Sequence, residues 1–223
     1  MLSYGSYVSK IKRESENIQT VMDQDDLKIT YRKYFSSDDA DDIFRQLEET
    51  IEYFPSEMSE VLVRHQKFPI RRKISAYGDP NLKYTFSGTT FPTKVWIGIL
   101  EKMLTDANVF FKEFSGDENA SFNYVFINRY KDGIDTLGIH RDDEKDMDAT
   151  SPIVTFSFGA PRDIIFRRKN FDNVKLSLEH GSVLVMYPPT NRYWYNEIPK
   201  RKKVKDIHVS LTFRKNLSAE NKV

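Results

Sequence analysis

The stretch IVTFSFGAPRDIIFRR, residues 153–168, carries two alternating runs on either side of Gly159-Ala160-Pro161. A period of two places every second side chain on one face of an extended chain, so each run reads as a strand. The glycine and proline between them read as a turn. The same texture continues on both sides. FNYVFINRY (122–130), VKLSL (174–178), SVLVMY (182–187) and IHVSLTFR (207–214) are short and punctuated by Gly133, Gly138, Gly181 and Pro188-Pro189. Many short strands at regular spacing predict a sandwich or barrel.

Before residue 120 the texture is helical. SSDDADDIFRQLEETIEYF begins at Ser36, with Ser36 or Ser37 as the cap and Asp38, Asp39, Asp41 and Asp42 at the positive end of the helix dipole. Ile43, Phe44, Leu47 and Ile51 share one face. A second helix is predicted after Pro92, with Trp96, Leu100, Met103 and Leu104 in one stripe. Packing against a sheet accounts for both stripes, and the expected class is α+β, helices first and strands later. Residues 1–25 read as a polar tail and 26–120 as an extension carrying the helices. Residues 121–216 read as the β core, and 217–223 as a second tail.

Composition narrows the chemistry. A chain of 223 residues, 39% hydrophobic, suits one domain with a sizeable core. It has no cysteine, which excludes disulfides, thiolate metal sites and cysteine nucleophiles. The formal net charge of +1 says nothing about partners, so local clusters must speak for themselves. No apolar run is long enough to span a membrane, and the first residues lack a secretory h-region. A soluble, monomeric intracellular protein is expected.

GIHRDDEK, residues 138–145, places His140 and Asp142 two residues apart. On an extended segment both point to one side and can converge on one ion. Iron(II) oxygenases pair two histidines with one carboxylate on a triangular face, so a second histidine is needed on a neighbouring strand. His-x-Asp alone is equally compatible with a solvated loop.

Five blocks then come into view. They are AYGDPNLKYTFSG (76–88), NRYKDGIDTLGIHRDDE (128–144), SPIVTFSFGAPRDIIFRRK (151–169), LEHGSVLVMYPPTNRYWYNEIPKRKKV (178–204) and VSLTFRK (209–215). Together they resemble the AlkB family of DNA and RNA dealkylating dioxygenases, above all its nuclear branch acting on duplex DNA. The resemblance runs from about residue 38 to 216. It implies a double-stranded β-helix (jelly-roll) core, supported by N-terminal helices and nucleotide-recognition hairpins. It also implies iron(II) and the co-substrate 2-oxoglutarate. By that resemblance His140 and Asp142 are iron ligands, and Asn128 and Tyr130 touch 2-oxoglutarate. Arg214 forks onto its distal carboxylate, a task suited to a planar, permanently charged group. A core aromatic and a surface cation are the plain alternatives for Tyr130 and Arg214.

Two positions depart from the family. Its Trp-Tyr-His motif here reads Trp194-Tyr195-Asn196, so an amide stands where the second iron histidine belongs. The arginine it carries six residues before the Arg214 position, expected near the iron-bound end of 2-oxoglutarate, is His208. Alternation puts His208, Ser210, Thr212 and Arg214 on one face. His208 therefore has two readings: a substitute iron ligand, or a hydrogen-bonding partner of a carboxylate. His65 and His180 read as structural or exposed.

On the substrate side the resemblance implies that Tyr84, Phe86 and Ser87 form the base pocket, with Glu144 near the base edge. An extruded base needs such an aromatic platform. Val63 and Arg64 match the wedge that plugs the duplex, with arginine where an aromatic is usual. Arg71, Arg72, Lys73, Arg167, Arg168, Lys202 and Lys203 fall in basic clusters that suit phosphates, although a charge run is most often a solvated face. PKRKKVK (199–205) also reads as a nuclear localisation signal. The leading expectation is oxidative dealkylation of DNA, duplex or single-stranded, with RNA as the alternative substrate. The rival is a DNA- or lesion-binding module that has lost iron through Asn196.

Overall fold

The computed structural model describes residues 20–63, 66–86 and 89–217. Arg64, His65 and Ser87 lie outside the described residues, as do the side chains of Val63, Tyr84 and Phe86. In chain order the elements are β1 (Thr20–Gln24), β2 (Leu27–Lys33), α1 (Ser37–Thr50), β3 (Glu60–Val63), β4 (Gln66–Pro69), β5 (Lys73–Gly78), β6 (Lys83–Phe86) and β7 (Thr89–Pro92). Then follow α2 (Gly98–Ser115), β8 (Tyr124–Tyr130), β9 (Leu137–His140), β10 (Ile153–Gly159), β11 (Arg162–Arg167), β12 (Val174–Leu178) and β13 (Ser182–Met186). A short α3 (Thr190–Tyr193), β14 (Tyr195–Ile198) and β15 (His208–Arg214) complete the fold.

Seven strands form the larger sheet in the order β1-β2-β13-β10-β15-β8-β5, and four form the smaller one, β12-β11-β14-β9. Every pairing within both sheets is antiparallel. Alternation sorts the side chains of the larger sheet. Val154, Phe156, Phe158, Val183, Val185, Val209, Leu211 and Phe213 are buried in one cluster with Ile43, Leu47, Leu100, Met103 and Phe110 of the two helices. The intervening residues Thr155, Leu184, Met186, Ser210, Thr212 and Arg214 line a hollow inside the shell. The smaller sheet closes that hollow with Ile164, Leu178, Asn196 and Ile198. This is the expected jelly roll, with helices buttressing one sheet.

The chain positions α1 with a cap and a glycine. Ser36 Oγ accepts from the Asp39 amide at 3.2 Å, and Asp38 and Asp39 occupy the first turn. Gly181 at φ +73° accepts at its carbonyl from the Tyr34 and Phe35 amides, both at 2.9 Å. A Cβ on Gly181 would press on Ala40 of α1 at 2.9 Å, so only glycine lets the helix start sit this close.

The expected tail needs correcting. Residues 20–24 are a strand paired with β2, and β2 pairs with β13, so the N-terminal segment extends the larger sheet. Val21 is exposed, so burial does not order this strand; it forms because its backbone pairs in register with β2, whose Leu27 and Ile29 are fully buried and fix that edge of the sheet. The core is likewise not confined to residues 121–216, since β1, β2 and β5 belong to its larger sheet. Two separate hairpins, β3–β4 and β6–β7, stand where recognition hairpins are expected.

Candidate metal and co-substrate site

The smaller sheet brings the two halves of the motif together. β14 pairs with β9 so that Asn196 lies opposite His140, and the register shifts between Asn196 and Ile198. Such a bulge re-aims side chains at a site. His140 Nδ1 lies 2.9 Å from the Gly138 carbonyl, which can only accept, so Nδ1 carries the proton and Nε2 keeps its lone pair. Nε2 is 3.9 Å from Asp142 Oδ2, and the Asn196 amide nitrogen donates to the same oxygen at 3.3 Å. The three side chains converge at one end of the hollow.

This donor set fits a divalent ion in a weakened form. Neighbouring ligands of an ion at about 2 Å stand about 3 Å apart, and these spacings need little closure. Rotation of the Asn196 amide would present its oxygen, a neutral donor poorer than imidazole. Among the described residues, no three His, Cys, Asp or Glu side chains gather to hold a metal. The Asn196 amide stands beside Asp142 as the third polar group at this end of the hollow.

Asp142 is held from three sides. Its amide donates to Asn191 Oδ1 at 2.9 Å, and its carbonyl accepts from Asn191 Nδ2 at 2.5 Å. The same carbonyl accepts from Arg214 Nη2 at 2.6 Å, and Arg214 Nη1 lies 3.6 Å from Asp142 Oδ1. Arg214 Nη2 also bonds Glu144 Oε2 at 2.6 Å. Asn191 escaped the sequence reading because its partner lies 49 residues away, with no local pattern to link them.

Arg214 therefore sits at the ligand end of the hollow, the reverse of the expectation that it marks the distal end. The strand direction explains this: β15 starts opposite Tyr130 and Gly159 and ends beside Asp142. His208 lies six residues earlier, about 20 Å of extended strand, which an imidazole cannot span. It does not line the hollow with His140 and Asp142, so it is not brought into the ligand set. Its Nδ1 donates to the Ala160 carbonyl at 2.8 Å, and its Nε2 finds no partner among the described residues. Burial pushes its pKa down to about 4, so it is a neutral core histidine.

Asn128 and Tyr130 both line the hollow. Burial raises the Tyr130 phenol above its ordinary range, so it stays protonated. Arg72, expected on phosphates, is only 7% exposed and turns into the hollow instead. Its Nε donates to Asn128 Oδ1 at 2.6 Å and its Nη1 to the Thr136 carbonyl at 3.1 Å. It sits immediately before β5, where the inward side chain of an alternating strand meets β8.

A second hollow of about 540 Å³ opens beside the first and shares Asp142 and Arg214 with it. Glu144, Met147, Ile153, Tyr187 and Asn191 are among its walls. Met147 also packs with Leu82, Phe91 and Phe126, which ties this opening to the β6–β7 hairpin. The surface cations divide. Arg71, Lys73, Lys202 and Lys203 are exposed. Arg167 is engaged by Glu197 at 2.5 Å, and Arg168 by the Asp25 carbonyl and Asp26 at 2.5 and 2.9 Å, so neither is set aside for phosphate as expected. His180 accepts from the Gly159 amide at 2.8 Å and is structural.

Comparison with known proteins gives the family of the chain. A family model described as the 2OG-Fe(II) oxygenase superfamily matches residues 28–216. The mouse protein "DNA oxidative demethylase ALKBH2" is 44% identical over 200 residues, covering 86% of this chain and 81% of that protein. The rat "Alpha-ketoglutarate-dependent dioxygenase alkB homolog 3" is 30% identical over 158 residues, covering 66% and 50%. A solved structure of OsALKBH1 superposes with a TM-score of 0.57 at 17% identity, covering 89% of this chain and all of that one, and shares the fold. The chain belongs to the 2OG-Fe(II) oxygenase superfamily, with iron(II) and 2-oxoglutarate as the reagents that go with it.

Proposed function

We propose that this chain removes alkyl groups from DNA bases by oxidation, using iron(II), 2-oxoglutarate and O2, and that it works in the nucleus. The observation that carries this reading is the convergence of His140, Asp142 and Asn196 beside Arg214 at one end of an enclosed hollow. Relatives named DNA oxidative demethylase, at 42–44% identity, support DNA as the substrate. The PKRKKVK run supports the nucleus.

His140 and Asp142, with Asn196 beside them, would hold iron(II), which when bound would supply the activation of O2 that couples oxidation of 2-oxoglutarate to succinate and CO2 with hydroxylation of the alkyl carbon, shed as an aldehyde. The chain's own residues bind, orient and shield. His140 offers the Nε2 lone pair because Nδ1–H is committed to Gly138. Asn191 and Arg214 fix the backbone at Asp142, so its carboxylate faces inward without reorganising. The deep hollow, walled by Leu137, Ile164, Leu184, Met186 and Ile198, excludes water from the co-substrate. The adjoining hollow takes the extruded base, with Glu144 held at its edge by Arg214.

The deciding experiment is anaerobic iron(II) loading followed by turnover of 2-oxoglutarate on methylated DNA oligonucleotides, with matched RNA and with Asn196→His alongside. The expected result is lesion-dependent release of formaldehyde by both forms, with Asn196→His saturating at lower iron. An inert wild type beside an active Asn196→His would replace this reading with that of a silent lesion-binding module. Turnover confined to RNA would move the substrate.

A further inference from the structure

A dicarboxylate enclosed in a hollow is costly to bury unless each charged end meets a charged or hydrogen-bonding partner. Arg214 is committed to the ligand end, where it touches Asp142 and Glu144. At the far end, position 208 carries an imidazole with its one proton already given to the Ala160 carbonyl. Its Nε2 is therefore a lone pair, which repels a carboxylate instead of binding it. Arg162 is close by, with its guanidinium 5.0 Å from the Tyr130 ring, but it does not line the hollow. It is spent on the carbonyls of Asp132, Asp135 and Pro199.

Arg72 meets the requirement. Its guanidinium lines the hollow at the level of Asn128 and Tyr130, 6.0 Å from the Tyr130 ring. Asn128 and Thr136 hold its plane fixed, as a preorganised anion site requires. We propose that Arg72 is the cation that holds the distal carboxylate of 2-oxoglutarate in this chain, in place of a guanidinium at position 208. This rests on reading the hollow as the 2-oxoglutarate site. A buried side chain contributed from β5's entry thus substitutes for one lost from β15.

The test is calorimetric titration of the Mn(II)-saturated protein with 2-oxoglutarate and with 2-oxopentanoate, which keeps the 2-oxo acid head but lacks the distal carboxylate. The wild type is expected to prefer 2-oxoglutarate by roughly tenfold or more, the range for a desolvated charge pair. Arg72→Gln should abolish that preference and Arg72→Lys should keep part of it. In the wild type the preference should stay flat between about pH 6 and 8, because a guanidinium does not titrate there. If Arg72→Gln fails to fold, Arg72→Lys decides: an undiminished preference in that variant would overturn the assignment. A preference that survives in Arg72→Gln, that His208→Ala removes, or that climbs as pH falls would overturn the assignment to Arg72 alone. A wild type that binds neither acid would overturn the site itself, and this inference with it.

Discussion

Two residues stand where the family motif leads one to expect others. Asn196 replaces an imidazole by an amide next to Asp142. Asn196→His should tighten Co(II) or Mn(II) binding by roughly ten- to a hundredfold, at least the range that outer-shell changes alone produce. Asn196→Ala should weaken it further below wild type. A titration of the metal's visible absorption checks both, and equal affinities in wild type and Asn196→Ala would show that the amide does not ligate. His208 makes a prediction of the opposite kind, about stability. Its folded pKa of about 4 lies below the unfolded value of 6.5, so the unfolded chain takes up the proton first as pH falls. Stability is fully present above about pH 6.5 and is lost toward pH 4, by roughly 3 kcal/mol at most. Urea unfolding across that window should show a shallower loss in His208→Gln than in wild type.

At the level of elements, the helices carry a second titration with the reverse sign. Asp106 on α2 is buried, its Oδ2 has no partner among the described residues, and burial raises its pKa to about 6. Its folded pKa exceeds the unfolded value, so its contribution is present below about pH 3.8 and lost as pH rises through 6. At neutral pH the fold carries an ionised carboxylate in its interior. Asp106→Asn should therefore raise the thermal midpoint at pH 8 and lose that advantage near pH 4, as differential scanning calorimetry would record. Turns matter as much as helices here. The 131–136 turn is locked to the 199–204 loop, with Gly133 donating to the Val204 carbonyl at 3.0 Å and accepting from the Arg201 amide at 2.7 Å. A Cβ on Gly133 would overlap the Arg201 carbonyl, so Gly133→Ala should loosen the closed end of the hollow, where Asp135, Tyr130 and Arg162 meet.

For the whole molecule, a net charge of +1 leaves nucleic-acid affinity to a few exposed cations. Lys202 and Lys203 are exposed, whereas Arg167 is bound to Glu197. Replacing both lysines by alanine should lower the slope of log affinity against log salt by up to about 2 on duplex DNA, and Arg167→Ala should leave it nearly unchanged. Fluorescence anisotropy at several salt concentrations reads both. Much of this molecule was legible in the chain itself. The strands 153–159 and 174–178 fall where the alternation puts them, and α1 starts at its serine cap, because period and capping are local properties. His140, Asp142 and the Asn196 substitution were legible through a motif. Other features depend on pairings across tens of residues. They are the β9–β14 register that sets Asn196 against His140, the Asn191 clasp on Asp142, the inward turn of Arg72 and the end of the hollow at which Arg214 sits. Local sequence determined which segments are strands and which face of each is apolar. Tertiary packing alone decided which polar side chains share the hollow, because strand order and register are settled by burial of the whole sheet and not by any one segment.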